Sequence, residues 1–246
     1  MQRVRIGLLC LVCAAVGFGG ALYLGPRTGL TAKARPRQVV FFRARTTHRV
    51  VALTFDDGPD PRWTPQVLDQ LRRHHARATF FMIGRNAEAH PALVHEVMNA
   101  GDEVANHTWD HPDLELLNPS TVDAEIEMGS TALESVGAPA PKYFRPPKGL
   151  TDDAVGVIAD AHRYRTVFWD LCVEHFVDHA PEIFTSVQDL LARVRPGSII
   201  LAHDGGIPNR GRTMLALPMV LDGLQARGYR MVDVSQLLRS AGSGNR

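Results

Sequence analysis

The stretch Arg49–Pro59 reads Arg-Val-Val-Ala-Leu-Thr-Phe-Asp-Asp-Gly-Pro. Its first seven residues form an apolar, β-rich run that predicts a strand, and two carboxylates follow directly. Adjacent residues that leave a strand point in different directions, so Asp56 and Asp57 can serve different partners. One carboxylate can bind a cation while the other faces a substrate. An Asx turn before Gly58-Pro59 is the purely structural alternative.

Further apolar runs follow along the chain and alternate with helical patterns. They predict strands over Ala78–Ile83, Asp102–Ala105, Lys142–Phe144, Tyr164–Trp169, Ser198–Ala202 and Tyr229–Val234. The intervening patterns predict helices over Thr64–His75, Pro91–Asn99, Ser120–Ser135, Thr151–Ala161, Pro181–Val194 and Thr213–Arg227. The third of these opens with a Ser-x-x-Asp cap at Ser120 and Asp123. This alternation predicts a parallel sheet covered by helices, either a barrel or a doubly wound sheet.

Polar side chains follow five of the predicted strands directly. They are Asp56-Asp57, Asn106-His107, Arg145, Asp170 and His203-Asp204. In parallel α/β architectures the carboxyl ends of the strands converge on one rim, where active sites lie. We therefore expect these groups to meet at one rim, although any one of them could instead be a helix cap.

Two histidines four residues apart, His107 and His111, suggest a metal site. On a helical turn this spacing brings both imidazoles to one side. Two neutral imidazoles and one carboxylate suit Zn²⁺ or another borderline divalent metal, with positions left for water. A chance pair among the 11 histidines of the chain is the alternative.

An arginine and a third histidine complete the candidate chemistry. Arg145 begins a rigid Arg-Pro-Pro loop and could hold a carboxylate bidentately and keep it ionised. His203 ends an apolar strand and could act as a general acid oriented by a nearby carboxylate. The structural alternatives are a surface arginine before a proline turn and a strand-end histidine without a proton role.

Together these motifs resemble the polysaccharide deacetylase family, the NodB-type carbohydrate esterases of family 4. The matching motifs are Thr54–Pro59, His107–Pro112, Arg145–Gly149 and Leu201–Asp204, and the likeness spans roughly Val50 to Leu238. The resemblance implies a deformed (β/α)₇ barrel and one divalent metal, Zn²⁺ first, with Co²⁺ or another divalent ion as alternatives. It implies a hydrolase that removes N-acetyl groups from an amino-sugar polymer such as peptidoglycan or an N-acetylglucosamine-containing polysaccharide.

The resemblance also implies roles for individual residues. Asp57, His107 and His111 would ligate the metal. Asp56 would be the general base that takes a proton from the attacking water, and Arg145 would hold Asp56 in place.

Three more residues receive roles in the same way. His203 would protonate the departing amine. The backbone N–H of Lys148 would help to stabilise the oxyanion, and Leu201 would line the pocket for the acetyl methyl group.

The sequence departs from the family pattern in two places. Where an aspartate-rich stretch is usual, Trp169–Phe176 carries Cys172 and His175, and Asp170 or Glu174 could instead tune Arg145 or His203. Lys148 replaces the usual aromatic residue of the third motif, which could favour an acidic polymer, or only its backbone could matter.

Two other functions stay open on the sequence alone. One is a polysaccharide O-acetyl esterase that uses the same residues. The other is a carbohydrate-binding protein with a degenerate catalytic site, which the altered stretch around Cys172 would favour and the intact motif residues oppose.

Composition excludes some classes of function. The 246 residues carry 27 Lys+Arg against 26 Asp+Glu, for a net charge of +1, so nucleic acid is not an expected partner. Only three cysteines are present, which excludes a disulfide scaffold.

The N-terminus predicts a targeting segment. Arg3 and Arg5 precede the uncharged run 6–24, which is typical of a signal peptide or of a membrane anchor with the catalytic domain outside the cytoplasm. The predicted organisation is residues 1–24 as signal or anchor, 25–48 as linker, 49–240 as the catalytic domain and 241–246 as a tail. An uncleaved segment would make the membrane a partner through residues 6–24.

Overall fold

The protein folds around a curled parallel sheet, described here from a computed structural model that covers residues 39–242. The strands are β1 Val40–Phe41, β2 Val50–Asp56, β3 Ala78–Met82, β4 Glu103–Asn106, β5 Tyr143–Phe144, β6 Arg165–Val167, β7 Leu171–Cys172, β8 Ile199–His203 and β9 Arg230–Val232. The helices are α1 Thr64–Arg73, α2 Gly84–Ala89, α3 Pro91–Ala100, α4 Pro119–Ser135, α5 Asp153–Ala161, α6 Val173–Val177, α7 Ile183–Arg193, α8 Gly211–Ala226 and α9 Val234–Gly242.

The strand order places β2 at the centre of the sheet. Eight strands run β1-β6-β5-β4-β3-β2-β8-β7, and β9 pairs with β2 below β8. Each of these strand pairs is parallel. The result is an open half-barrel with helices, consistent with the deformed (β/α)₇ barrel that the resemblance implies.

The core lies on both faces of this sheet. β2 and β3 are buried along their whole length, as expected of central parallel strands. One apolar cluster packs the outer face of the sheet against the helices, through residues such as Val67 and Leu71 of α1. A smaller cluster that includes Phe81 and Val167 fills the interior of the curl. With both faces packed, the carboxyl ends of the strands form the open rim.

Each run predicted as a strand overlaps one, and each of the six predicted helices is present. The predicted cap of α4 is wrong. The N-cap is Asn118, whose side chain accepts a hydrogen bond from the Thr121 N–H, and Pro119 occupies the first turn. A proline there needs no donor partner and fixes φ for the helix, so the helix begins before Ser120. Asp123 instead lies 2.7 Å from the His162 ring nitrogen.

Part of the segment predicted as a linker belongs to the sheet. Val40 and Phe41 pair with Thr166 and Val167 of β6. The predicted signal or anchor at residues 1–24, the linker residues before 39, and residues 243–246 of the tail lie outside the described residues. Among residues 39–242, no helix combines the length and the apolar character needed to cross a membrane.

Candidate active site

Four of the five predicted polar groups meet at the carboxyl rim of the sheet. Asp56 is in register with His203 of β8, and Asn106 of β4 is in register with Phe144 of β5, directly before Arg145. Asp170 does not reach this rim. Its two carboxylate oxygens accept hydrogen bonds from the Ser198 Oγ and the Ile199 N–H, both 2.8 Å away, at the opposite end of β8. Asp170 lies in the bend between β6 and β7, before the residues that pair with β8.

Asp57, His107 and His111 form a compact cluster of potential metal ligands. One ligand atom from each lies within 4.8 Å of the others. The Asp57 Oδ1 is 3.2 Å from the His111 Nε2 and 3.5 Å from the His107 Nε2. The buried Oδ1 makes no hydrogen bond with another described residue. An unpartnered carboxylate oxygen facing two imidazole nitrogens is the arrangement that a bound cation would complete.

The spacing of His107 and His111 predicts a helical turn, but the structure has none at these residues. Residues 107–111 form a loop in which Thr108 and His111 adopt left-handed backbone conformations, with φ of 69° and 68°. The His111 N–H donates to the Thr108 Oγ1 at 3.0 Å, which holds this loop. The rings nevertheless come together, with centroids 4.9 Å apart. Non-glycine residues in this region are uncommon, and such backbone conformations cluster at functional sites.

Hydrogen bonding and burial prepare both imidazoles as ligands. The His107 Nδ1 lies 2.7 Å from the Arg145 carbonyl oxygen, a contact that places the proton on Nδ1 and leaves the Nε2 lone pair facing Asp57. Burial lowers the pKa of His111, and the neighbouring His107 lowers it further, so this ring is neutral at pH 7. Burial alone would raise the pKa of Asp57, but interactions with the histidines hold it well below its ordinary value.

Asp56 is held by a fully buried arginine, as the resemblance implies. The Arg145 Nη1 donates to the Asp56 Oδ1 at 2.6 Å, and Nε and Nη2 donate to the carbonyls of Val167 and Phe168. The guanidinium also lies over the Phe81 ring, 4.0 Å from its centroid. These contacts fix the guanidinium and present one carboxylate oxygen of Asp56 toward the rim.

Glu174, and not Asp170, contacts the third histidine. The Glu174 Oε2 lies 3.1 Å from the His203 Nδ1, and Oε1 accepts from the His203 N–H and the Thr213 hydroxyl. Burial alone would lower the pKa of His203, but the contact with Glu174 raises it. The altered stretch around Cys172 therefore supplies a carboxylate for this histidine.

Two further charged residues belong to the site: Arg210, which the sequence did not indicate, and Asp204, which was expected at the rim but without a role. The Arg210 Nη2 donates to the Asp57 Oδ2 at 3.2 Å, and its Nε donates to the Gly205 carbonyl at 2.7 Å. Asp204 is fully buried and accepts from the Thr64 hydroxyl at 2.5 Å. Burial, reinforced by the charges of Asp57 and Asp56, raises the pKa of Asp204 to about 7.

The remaining predicted site residues flank this cluster. Leu201 is buried two residues before His203, so its side chain lies on the same face of β8. Lys148 has a φ of 57°, and its ammonium lies 2.5 Å from the Asp113 carboxylate, so its charge already has a partner. Trp63 is buried and presents no open face for stacking against a sugar ring.

Comparison with known proteins agrees with this geometry. The polysaccharide deacetylase family model matches residues 43–167. A peptidoglycan-N-acetylglucosamine deacetylase of Bacillus cereus is 38% identical over 204 residues, which cover 83% of this chain and 95% of that protein. A chitooligosaccharide deacetylase of Bradyrhizobium sp. is 38% identical over 77% of this chain and 90% of that protein.

A solved structure supports the same relationship at the level of the fold. The Bc1960 peptidoglycan N-acetylglucosamine deacetylase superposes with a TM-score of 0.77 and 30% identity, over 82% of this chain and 94% of that one. The chain therefore belongs to the polysaccharide deacetylase family of hydrolases.

Proposed function

We propose that this protein is a metal-dependent N-deacetylase of an amino-sugar polymer, peptidoglycan or an N-acetylglucosamine-containing polysaccharide. The unpartnered Asp57 Oδ1 that faces two imidazole nitrogens, next to the Asp56–Arg145 and His203–Glu174 pairs, carries this proposal. The named relatives act on polymers of this kind, which supports the substrate class.

Asp57, His107 and His111 would hold the cation, with Zn²⁺ first and Co²⁺ as the alternative. Two imidazole nitrogens and one carboxylate oxygen suit a borderline divalent ion and leave coordination positions for water and substrate. When bound, the ion polarises the amide carbonyl and lowers the pKa of a water molecule. Arg210 donates to the second oxygen of Asp57 and so orients Oδ1 toward the histidines.

Asp56 and His203 would move the protons. Asp56 would accept a proton from the attacking water, because Arg145 holds its carboxylate in place. His203 donates a proton to the amide nitrogen, a poor leaving group until it is protonated. Glu174 stabilises the protonated imidazole and keeps it oriented. The Lys148 backbone N–H would stabilise the oxyanion, and Leu201 would line the acetyl pocket.

The reaction would take place outside the cytoplasm, where polymers of this kind are found. Residues 1–24 would export the protein, either as a cleaved signal peptide or as an anchor in the cytoplasmic membrane. The (β/α)₇ domain would then act on the cell wall or on secreted polysaccharide.

Acetate release tests this function. The protein with added Zn²⁺ or Co²⁺ is offered N-acetylglucosamine oligomers, peptidoglycan fragments and acetyl-xylan. We expect chelator-sensitive release from the amino sugars. Asp56→Asn should keep the metal and lose turnover, because Asn cannot accept the proton.

Other results would assign another function. Release from acetyl-xylan alone would identify an O-acetyl esterase. Metal binding with no release from any substrate would favour the carbohydrate-binding alternative. Activity without a metal, or near-normal rates in Asp56→Asn, would refute the proposed mechanism.

A further inference from the structure

The connections that lead from the helices into the strands lie together at the amino end of the sheet, opposite the catalytic rim. The segment 42–49, which leads into β2, lies at the same end, because the Ala44 N–H donates to the Gly197 carbonyl before β8 at 2.8 Å. We refer to this segment and the connections as the amino-end face. The connections are residues 74–77, 101–102, 136–142, 162–164, 194–198 and 227–229.

The amino-end face is almost entirely basic. Its only acidic residue is Asp102, which is buried and accepts a hydrogen bond from the Ala78 N–H. Arg165 and Arg230, the exposed first residues of β6 and β9, add two more positive charges at its border. The whole chain has a net charge of only +1, so this is a local accumulation. The exposed basic residues of the face itself are Arg43, Arg45, Arg49, Lys142, Arg163 and Arg195.

The described protein does not neutralise this charge. Among residues 39–242, no carboxylate lies within 4 Å of the cationic groups of these six residues, of Arg165 or of Arg230. Arg43 interacts with Asp170 at longer range. The last turns of the helices that lead into the face carry three arginines and two carboxylates, so they do not offset the charge either.

A cavity of about 880 Å³ opens at this end of the domain, between β1, the segment 42–49 and α9. Its charged lining residues are Arg43, Arg45 and Arg165. The partly buried side chains of Phe41 and Leu238 give it an apolar part. A guanidinium binds a phosphate group bidentately. Arginines beside apolar side chains therefore suit a phosphate that is carried on an apolar chain.

The linker joins the domain at this same end. The Val39 carbonyl accepts a hydrogen bond from the Thr166 N–H of β6 at 3.1 Å. Residues 25–38, which precede it in the sequence, include four basic residues and no acidic one. Fourteen residues span at most about 50 Å, so a chain anchored through residues 6–24 would keep the domain close to the bilayer. The linker carries the same sign of charge as the amino-end face and therefore does not neutralise it.

We propose that the amino-end face docks on the surface of an anionic phospholipid membrane, with lipid phosphate groups bound by Arg45 and Arg165 at the cavity. The basic residues are spread over several loops at one end of the domain, which suits a plane of headgroups better than a single extended polymer strand. Docking in this orientation turns the catalytic rim away from the bilayer. The inference goes beyond the proposed deacetylation and does not depend on it.

Hydrogen–deuterium exchange of the full-length protein in lipid nanodiscs tests this docking. The protein is compared in discs of phosphatidylcholine and in discs of phosphatidylcholine mixed with phosphatidylglycerol. Amide exchange in residues 42–49 and 162–166 should slow at least about threefold in the anionic discs. High salt should reverse this effect, because it screens exposed charges. Exchange in residues 107–113 of the catalytic rim should be the same in both kinds of disc.

Two double variants with the same change of net charge separate the two ends of the domain. Arg45→Gln/Arg165→Gln should weaken docking about 10- to 30-fold and so remove most of the slowing, since each basic residue near an anionic membrane contributes about fivefold. The matched control is Arg62→Gln/Arg85→Gln, which removes two exposed arginines that follow β2 and β3 at the catalytic end. The control should retain the slowing in the anionic discs.

Several results would overturn the inference. They are equal exchange in neutral and anionic discs, slowing at residues 107–113 instead, and an equal loss of slowing in both double variants. Alginate, a soluble acidic polysaccharide, is added to the neutral discs as the other class of partner. If alginate slows exchange in residues 42–49 and 162–166 and phosphatidylglycerol does not, the face binds a polymer and the membrane proposal is wrong. Acetate release is measured on the same samples, so a failure of the proposed function is seen separately.

Discussion

The buried pair of Asp56 and Arg145 should show a large coupling energy in the metal-free protein. Both side chains are almost completely removed from solvent. The guanidinium donates to Asp56 at 2.6 Å, to the Thr54 hydroxyl at 3.1 Å, and to the carbonyls of Val167 and Phe168 at 2.8 and 3.1 Å. Replacing either member alone leaves a buried charge without its partner, whereas replacing both removes the two charges together.

The contacts set the size of the effect on the free energy of unfolding. Arg145→Met removes four hydrogen bonds and strands the Asp56 carboxylate, which should cost about 3–5 kcal/mol. Asp56→Asn keeps an acceptor but leaves the guanidinium charge uncompensated, which should cost about 1–3 kcal/mol. The loss in the double variant should fall short of the sum by about 2 kcal/mol.

Urea denaturation followed by circular dichroism, with chelator present, measures all four proteins of this cycle. The matched control is the exposed pair Asp69–Arg73 of α1, whose atoms are 2.7 Å apart. This pair is solvated and should show little coupling. A coupling between Asp56 and Arg145 no larger than that of the control would refute the reasoning that each buried group depends on its partner.

Three further variants test the neighbouring groups. Glu174→Gln removes the carboxylate that raises the pKa of His203, so the alkaline limb of the pH–rate profile should move to lower pH; an unmoved limb would separate His203 from Glu174. Burial and the charge of Asp57 raise the pKa of Asp204 to about 7, above its value in the unfolded chain. The native state therefore binds the extra proton, and the free energy of unfolding of the metal-free protein falls as pH rises from about 4 to about 7. Asp204→Asn should remove this decline, at most about 3 kcal/mol between pH 5 and pH 8, when urea midpoints at these two values are compared; a decline that persists would place the titration elsewhere. His107→Ala should abolish Zn²⁺ binding in calorimetry with an unchanged far-ultraviolet spectrum, and retained binding would contradict its role as a ligand.

The length of a strand decided how well it could be predicted from the sequence. β2, β3 and β8 are apolar runs of five to seven residues, and their patterns predicted them with only small errors at the ends. β1 and β7 have two residues each, too few to show any periodicity. Their place in the sheet comes from tertiary pairing, so the sequence alone predicts a linker at residues 40–41.

The site was predictable where its residues follow strands and unpredictable where loops fold back onto it. Asp56 and His203 end their strands and His107 directly follows β4, so the topology alone places them together. Arg210 reaches Asp57 across 153 positions of sequence from a loop without a pattern of its own. The sequence does mark the approach of this loop to Asp57, because a Cβ at Gly206 would lie 2.1 Å from the Asp57 carboxylate. Paired glycines after a strand-end His-Asp thus indicate close approach to another site residue.

Adjacent carboxylates with separate counter-charges explain how one site can serve two kinds of chemistry. Asp56 is paired with Arg145, Asp57 receives Arg210, and Glu174 is paired with His203. The protein groups around the cluster are therefore close to electrically balanced before any cation binds. A divalent ion held there would keep most of its positive charge directed toward the substrate oxygen, where negative charge develops during amide hydrolysis. Fixed charges of this kind stabilise a transition state without reorganising. The paired arginines are thus as necessary to the proposed reaction as the ligands that they orient.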